Sequence, residues 1–267
     1  MDAKRLDVIL VELGHAATRS KAQALIKAGH VLVDGKPVQK AGQLCTTEQQ
    51  IEITGEYCPY VSRGGLKLEK ALRDFGVDPA GLVCSDSGAS TGGFTDCLLQ
   101  KGAKKVFAID VGTDQLVDKI RSDPRVVVME QTNIRYVTPE DIAEPLDLSV
   151  VDVSFISLQL VLPAIARLLK PNSGQVLCLI KPQFEAGKEN LGKKGVVRDP
   201  SVHKQVLDGF ISFASALGFA VLGLTYSPVR GPEGNIEFLG HLSLRHCDGI
   251  KPDTAAIVAA AHENLRV

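Results

Sequence analysis

The 267-residue chain contains no apolar run approaching the ~20 residues that a membrane-spanning helix needs. Asp2, Lys4, Arg5, Asp7 and Glu12 crowd its beginning, where a secretory signal would require an uninterrupted apolar segment, so a cytoplasmic protein is expected. Net charge is almost absent: 30 Lys and Arg against 31 Asp and Glu leave a formal −1. Affinity for nucleic acid must therefore come from a local basic face. The six cysteines form no Cys-x-x-Cys pair and no cluster with histidine, which predicts reduced, mostly buried thiols and no metal. The chain also lacks a Gly-x-Gly-x-x-Gly turn and a Gly-Lys-Ser/Thr loop, which counts against dinucleotide binding and against a phosphate-binding loop.

What is present centres on Asp86-Ser-Gly-Ala-Ser-Thr-Gly-Gly-Phe94, which joins an apolar run over 82–84 to a helix-like one over 95–101. It reads as a strand, a glycine turn where backbone can approach a ligand, and a helix start. Strands are then predicted over 106–110, 126–130, 146–151, 176–180, 220–224 and 236–242. Helices are predicted over 115–121, 158–169 and 202–217, with a short segment over 139–142. This alternation is α/β: a doubly wound, Rossmann-like parallel sheet with helices on both faces.

Ligands of such sheets bind beyond the carboxyl ends of the strands, so polar residues just after each strand carry most weight. Asp110 ends the second strand, 24 residues after Asp86, close to the spacing at which an acid reads ribose hydroxyls. Gln131, Thr132 and Asn133 offer amides where an adenine edge would lie. Asp152 follows a valine-rich strand, either as a site residue or as a helix cap. Lys181 follows an apolar strand directly and is held by Pro182. Glu237 enters an otherwise apolar strand and must pair with something. Lys67, on an amphipathic helix over 66–75, reads alone as a solvated charge. No Asn/Asp-Pro-Pro-aromatic sequence follows the fourth strand, which disfavours chemistry on base amino groups. The Gly- and Lys-rich run over 187–199, with Lys193 and Lys194, is predicted to be a mobile loop.

Residues 1–55 form a separate small α+β domain. Leu6, Ile9, Leu10 and Leu13 share one helical face, and Ala22, Leu25 and Ile26 share another. Gly29 ends the second helix, and Asp34-Gly35 turns a hairpin after 31–33, with a partner strand over 50–53. Arg5, Arg19, Lys21, Lys27 and Lys36 punctuate it with positive charge. Periodicity lapses after Thr54 and Pro59 forbids a continuous helix, so 56–62 is read as the linker and 63–267 as the second domain, with Ser62 capping its first helix.

Four resemblances sharpen this reading. Arg5-Leu6-Asp7, Arg19-Ser20-Lys21-Ala22, Ile26-Lys27-Ala28-Gly29 and Val31-x-Val33-Asp34-Gly35-Lys36 resemble the small αL RNA-binding module of a ribosomal protein, tyrosyl-tRNA synthetases and pseudouridine synthases. Asp86-x-Gly88-x-x-x-Gly92-Gly93 resembles the first motif of methyltransferases that use S-adenosylmethionine (SAM). Lys67, Asp152, Lys181 and Glu237 resemble the Lys-Asp-Lys-Glu tetrad of FtsJ/RrmJ ribose 2′-O-methyltransferases. With Ser62-Arg63-Gly64-Gly65, Asp152-Val-Ser-Phe-Ile-Ser157 and Lys181-Pro-Gln-Phe-Glu185, nearly the whole chain resembles the TlyA family. Members of that family are described both as hemolysins and as cytidine 2′-O-methyltransferases of ribosomal RNA.

The resemblance implies SAM as cofactor, bound by Asp86, Gly88, Ala89, Ser90, Thr91, Gly92, Gly93, Phe94, Asp110, Asn133 and Phe155. It implies contact with 16S or 23S ribosomal RNA, or with ribosomal subunits, through Arg5, Arg19, Lys21, Lys27, Lys36 and Arg63. Thr91 and Asn133 depart from the wider FtsJ pattern, which has proline and an acid there. A ribose hydroxyl is a poor nucleophile, so the reaction asks for alignment and for removal of one proton. A free lysine is mostly protonated at neutral pH, and a second ammonium nearby together with burial loosens that proton. Lys181 is expected as the base, Asp152 and Glu237 as orienting carboxylates, and Lys67 as the group that places the hydroxyl. The competing readings are a non-catalytic assembly factor that binds ribosomal RNA and a pore-forming hemolysin. The second is opposed by the lack of a spanning or strongly basic amphipathic helix.

Overall fold

The computed structural model describes residues 3–265 apart from 17, 28, 47, 55–57, 143, 193, 194, 232 and 246. Ala28 of the RNA-binding pattern, Lys193, Lys194 and linker positions 56 and 57 thus lie outside the described residues. The chain folds as two compact units, Met1–Tyr57 and Cys58–Val267.

The first unit runs β1 (Lys4–Arg5), α1 (Leu6–Glu12), α2 (Arg19–Lys27), β2 (Val31–Val33), β3 (Lys36–Pro37), β4 (Leu44–Cys45) and β5 (Ile51–Ile53). Leu6, Ile9 and Leu10, spaced to share one side of α1, are fully buried against Ala22 and Ile26 of α2. A three-stranded antiparallel sheet, β3-β2-β5, closes that core, and β1 pairs with β4. Asp34 and Gly35 both take left-handed backbone, φ 50° and 74°, as a two-residue hairpin turn demands.

The second unit opens with α3 (Gly64–Phe75), β6 (Val83–Ser87), α4 (Gly93–Gln100), β7 (Lys105–Ile109), α5 (Asp118–Arg121), β8 (Val126–Met129), β9 (Leu148–Val151) and α6 (Leu158–Leu168). It continues with β10 (Gln175–Ile180), α7 (Pro182–Glu185), α8 (Pro200–Ala216), β11 (Ala220–Tyr226), β12 (Phe238–Ser243) and α9 (Thr254–Asn264). The seven strands lie in the order β11-β12-β10-β9-β6-β7-β8. β6 to β10 are parallel; β7, β9 and β10 are buried almost throughout, which is why they read as mainly apolar runs, whereas β8 at the edge is half-exposed. β6 pairs with β7 on one side and β9 on the other, so the order reverses there and a crevice opens at the carboxyl ends of β6 and β9.

Five details differ from the sequence reading. β12 runs antiparallel to both neighbours, because among the described residues of the 227–237 connection there is no helix to make a parallel crossover. The helix expected over 115–121 is the single turn α5. No element forms over 139–142; a 3-10 turn occupies Ile134–Tyr136 instead, with the Asn133 side chain accepting from the Arg135 N–H. Positions 58–62, read as linker, pack into the second unit: Tyr60 is buried, and the Val61 N–H donates to Asp96 Oδ2 at 2.8 Å. Ser62 does not cap α3, whose start has no side-chain cap.

Two histidines are sealed inside the second unit. His241 bonds to Gln175 Oε1 at 2.8 Å, and His203 Nδ1 lies 2.9 Å from His262 Nε2. Burial pushes both down to about 4, with the His262 charge adding to the effect on His203. The folded chain therefore refuses protons that the unfolded chain takes up near pH 6.5. Stability is full above that value and falls as the pH drops toward 4, by about 3 kcal/mol per histidine. Urea unfolding at pH 7.5 and 5 measures this loss. His241→Gln is expected to shrink it by about half, and an equal loss in the variant would remove His241 as a cause.

Candidate active site

The site assembles where the sheet order reverses. β9, β10 and β12 are neighbours, and the antiparallel register sets Phe238 opposite Ile180. The residue before β12, Glu237, therefore lies at the same edge as Lys181 after β10 and Asp152 after β9. α3 delivers Lys67 to that edge. Lys67 Nζ donates to Glu237 Oε2 at 2.6 Å, with the lysine 8% and the glutamate 1% exposed. Lys181, also 8% exposed, lies 2.6 Å from Asp152 Oδ1 and donates to Ser154 Oγ at 2.9 Å. Two lysine–carboxylate pairs with no net charge thus stand at the ligand edge. Lys67 and Asp152 line one cavity of about 270 Å³ together with Arg63, Gly88, Thr91 and Arg230.

The glycine turn is placed by backbone contacts. The Gly88 and Ala89 N–H groups donate to Ile109 O at the end of β7, and the Gly92 N–H donates to Ala89 O. Gly88 has φ 89°, and a Cβ there would sit 2.5 Å from the Asp152 carbonyl oxygen. Only glycine lets the turn lie against the Asp152 segment. Gly93 has a different reason: its Cβ would meet Ser62 Oγ at 2.2 Å. Phe94 is likewise buried, its ring beside Gly64. These two residues anchor the 58–65 segment to the turn.

A second cavity, about 480 Å³, extends from Gly88 and Ser90 past Asp110, Asn133 and Phe155. Asp110 accepts from the Ser90 N–H at 2.8 Å and the Gly112 N–H at 2.7 Å, which ties the turn to β7. Asn133 Oδ1 is engaged by Arg135, so its NH2 group is the part left to a ligand. Phe155 is 92% exposed and held in left-handed backbone, φ 62°, with its ring 5.3 Å from that of Phe184.

Asp86 is fully buried. Its Oδ2 accepts from the Thr95 N–H and Oγ1, while Oδ1 and the neighbouring Ser87 Oγ have no partner among the described residues. Orphaned acceptors beside a close-approach glycine fit a ligand with hydrogen-bond donors and positive charge, which describes SAM. Burial pushes the Asp86 carboxyl up to about 7. Its folded value is the higher one, so stability declines as pH rises from about 4 to 7. Asp86→Asn removes that cost and is expected to stabilise the free protein at pH 8 by up to about 4 kcal/mol while weakening cofactor binding. Denaturant titration with and without SAM checks both halves.

Sequence reasoning missed three contributors. Ser154, inside the Asp152-Val-Ser-Phe run, helps to hold Lys181. Glu185, quoted as a motif member, binds Ser157 Oγ at 2.6 Å and the Leu158 N–H at 2.8 Å, and so fixes α6 to the segment after Lys181. Arg230 donates to Leu265 O at 2.9 Å and Gly234 O at 3.1 Å, linking the loop before Glu237 to the end of α9. In the first unit, Arg5 and Arg19 meet on Asp7, whereas Lys21, Lys27 and Lys36 enter no ion pair among the described residues. Arg63 is exposed and likewise unpaired among them.

A seven-stranded, mostly parallel sheet with a glycine turn at its point of reversal is the fold of Rossmann-like methyltransferases. The FtsJ-like methyltransferase model matches residues 60–244 and the S4 domain model residues 4–51. The chain belongs to the FtsJ-like methyltransferase family and carries an S4 domain ahead of the enzyme domain. It is 52% identical to the YqxC protein of Bacillus subtilis, provisionally named an rRNA methyltransferase, over 90% of this chain and 85% of that one. It is 45% identical to the 16S/23S rRNA (cytidine-2′-O)-methyltransferase TlyA of Mycobacterium tuberculosis, over 88% and 87%. Among solved structures, a protein of Streptococcus thermophilus provisionally named a hemolysin superposes with a TM-score of 0.78 at 45% identity, covering 99% of this chain and 97% of that one.

Proposed function

We propose that the chain methylates the 2′-hydroxyl of a cytidine ribose in ribosomal RNA, 16S, 23S or both, in the cytoplasm. The observation that carries this is the meeting of Lys67–Glu237 and Lys181–Asp152 at the carboxyl edge of the sheet, beside the glycine turn. Buried ion pairs are costly to assemble, and a hydroxyl nucleophile needs such lysines. The name of the TlyA relative supplies the substrate class.

SAM, when bound, supplies a methyl group already activated by its sulfonium. Asp86 and the glycine turn Gly88 to Gly93 would hold it, and Asp110, Asn133 and Phe155 would bound its adenosine. Lys181 Nζ, once it has given up to solvent the proton it holds in its pair with Asp152, takes the proton of the ribose hydroxyl. Asp152 and Ser154 then hold the ammonium so formed. Lys67, fixed by Glu237, orients the hydroxyl oxygen. Residues 1–55 bind helical RNA through phosphates and shape, using Arg5, Arg19, Lys21, Lys27 and Lys36, and in the second unit Arg63 offers a further phosphate contact. Residues 63–267 carry the methyl transfer. Among the described residues no group of ligands could hold a metal ion, and the proposed steps call on none.

The test is transfer of labelled methyl from SAM to separated ribosomal subunits that lack the modification. Label in 16S or 23S RNA is expected. No label, with SAM binding intact, would favour an assembly factor that binds RNA without turnover.

A further inference from the structure

We propose that Asp7 is the positioning residue of the RNA-binding face: its buried carboxylate gathers Arg5 and Arg19 into one fixed guanidinium pair for neighbouring phosphates of helical RNA. The inference rests on the RNA-binding reading of the first unit. Asp7 is 0% exposed, yet the two arginine side chains it holds are 47% and 56% exposed. Arg5 grips it with two bonds, Nε to Oδ1 at 3.0 Å and Nη2 to Oδ2 at 2.9 Å. Arg19 Nη2 reaches the same Oδ2 at 3.3 Å, and Gln23 Nε2 completes the set at 2.7 Å.

Donor accounting separates this arrangement from a closed salt bridge. Each guanidinium carries five N–H groups. Arg5 spends two on Asp7 and Arg19 one, so most donors remain, and both side chains reach solvent. Gly42 leaves room for the outer edge of Arg5: a Cβ there would lie 3.1 Å from Arg5 Nη1. The carboxylate also offsets the repulsion between two guanidiniums that approach a single oxygen. Long cationic side chains otherwise lose rotamer freedom when they bind phosphate; here that loss is already taken in the free protein, which is preorganisation. Gln23, fixed to the same oxygen, sets the carboxylate from α2 while Arg5 sets it from β1, so the pair forms only when these elements are folded together.

Binding of a short helical RNA hairpin to the full chain, followed by anisotropy at several salt concentrations, tests this. Four proteins are compared: wild type, Asp7→Asn, Arg5→Ala with Arg19→Ala, and the triple variant. Asp7→Asn is expected to weaken binding about tenfold, the loss for two rotamer-rich side chains that must now be ordered on binding. In the arginine-less background the same change is expected to have no further effect. An equal loss in both backgrounds would show that Asp7 acts through the fold alone and would overturn the proposal. Should Asp7→Asn or the arginine-less background unfold the first unit, Arg19→Lys carries the test, because it keeps the charge and loses the planar fork. A loss of about fivefold with an unchanged salt slope is then expected, and wild-type affinity would overturn the proposal. Absence of RNA binding by the wild type would instead count against the RNA-binding reading itself.

Discussion

Lys181→Ala is expected to lower the rate of methyl transfer about a thousandfold while SAM affinity changes by less than about twofold. Lys181 stands at the strand edge, held from one side by Asp152 and Ser154; those two residues line the cavity of about 480 Å³ and Lys181 does not. In the proposed mechanism its removal takes away the proton acceptor and leaves the lining of that cavity in place. Lys181→Arg is expected to restore little, because a guanidinium does not take up a proton. Lys67→Ala is expected to lose less rate, about a hundredfold, because in the proposed mechanism it places the hydroxyl and takes no proton. Single-turnover rates with saturating SAM, beside isothermal titration of SAM, distinguish the two. Comparable losses in both variants would remove the division of roles.

Glu237→Gln is expected to be the most damaging substitution for stability among the four. It leaves Lys67, 8% exposed, without the carboxylate that compensates its charge, a loss of about 3 kcal/mol. For a unit of this size that lowers the melting temperature by roughly 9 °C. The double variant Lys67→Met with Glu237→Leu is expected to regain most of that stability, since two apolar side chains of similar size need no partner, and to remain inactive. Wild-type melting of Glu237→Gln would mean that water reaches the pair, contrary to its burial.

The strand-end residues were legible in the sequence for a physical reason. In parallel sheets the carboxyl ends face the ligand, and Asp110, Asp152 and Lys181 each follow an apolar run directly. Glu237 was legible because an acid beside Phe238 and Leu239 has to be paired. Lys67 was not legible from its helix; its meaning depends on a partner brought close only by the fold. The antiparallel turn of β12 was hidden because an apolar strand reads alike in either direction. Arg230 escaped notice because its partners are backbone carbonyls, which leave no mark in a side-chain pattern. Gly93 was legible as a glycine of the turn, but its packing against Ser62 belongs to the tertiary structure. In the first unit, Arg5 and Arg19 read as independent surface charges, and only the folded unit shows that both end on Asp7.

The most direct test of a tetrad acting on ribose is mass spectrometry of nucleosides from ribosomal RNA treated with wild-type protein and SAM, beside RNA treated with Lys181→Ala. The expected result is 2′-O-methylcytidine in the wild-type digest and none in the variant's. A methyl group on a base carbon or nitrogen, or 2′-O-methylation that persists in Lys181→Ala at the wild-type rate, would contradict it.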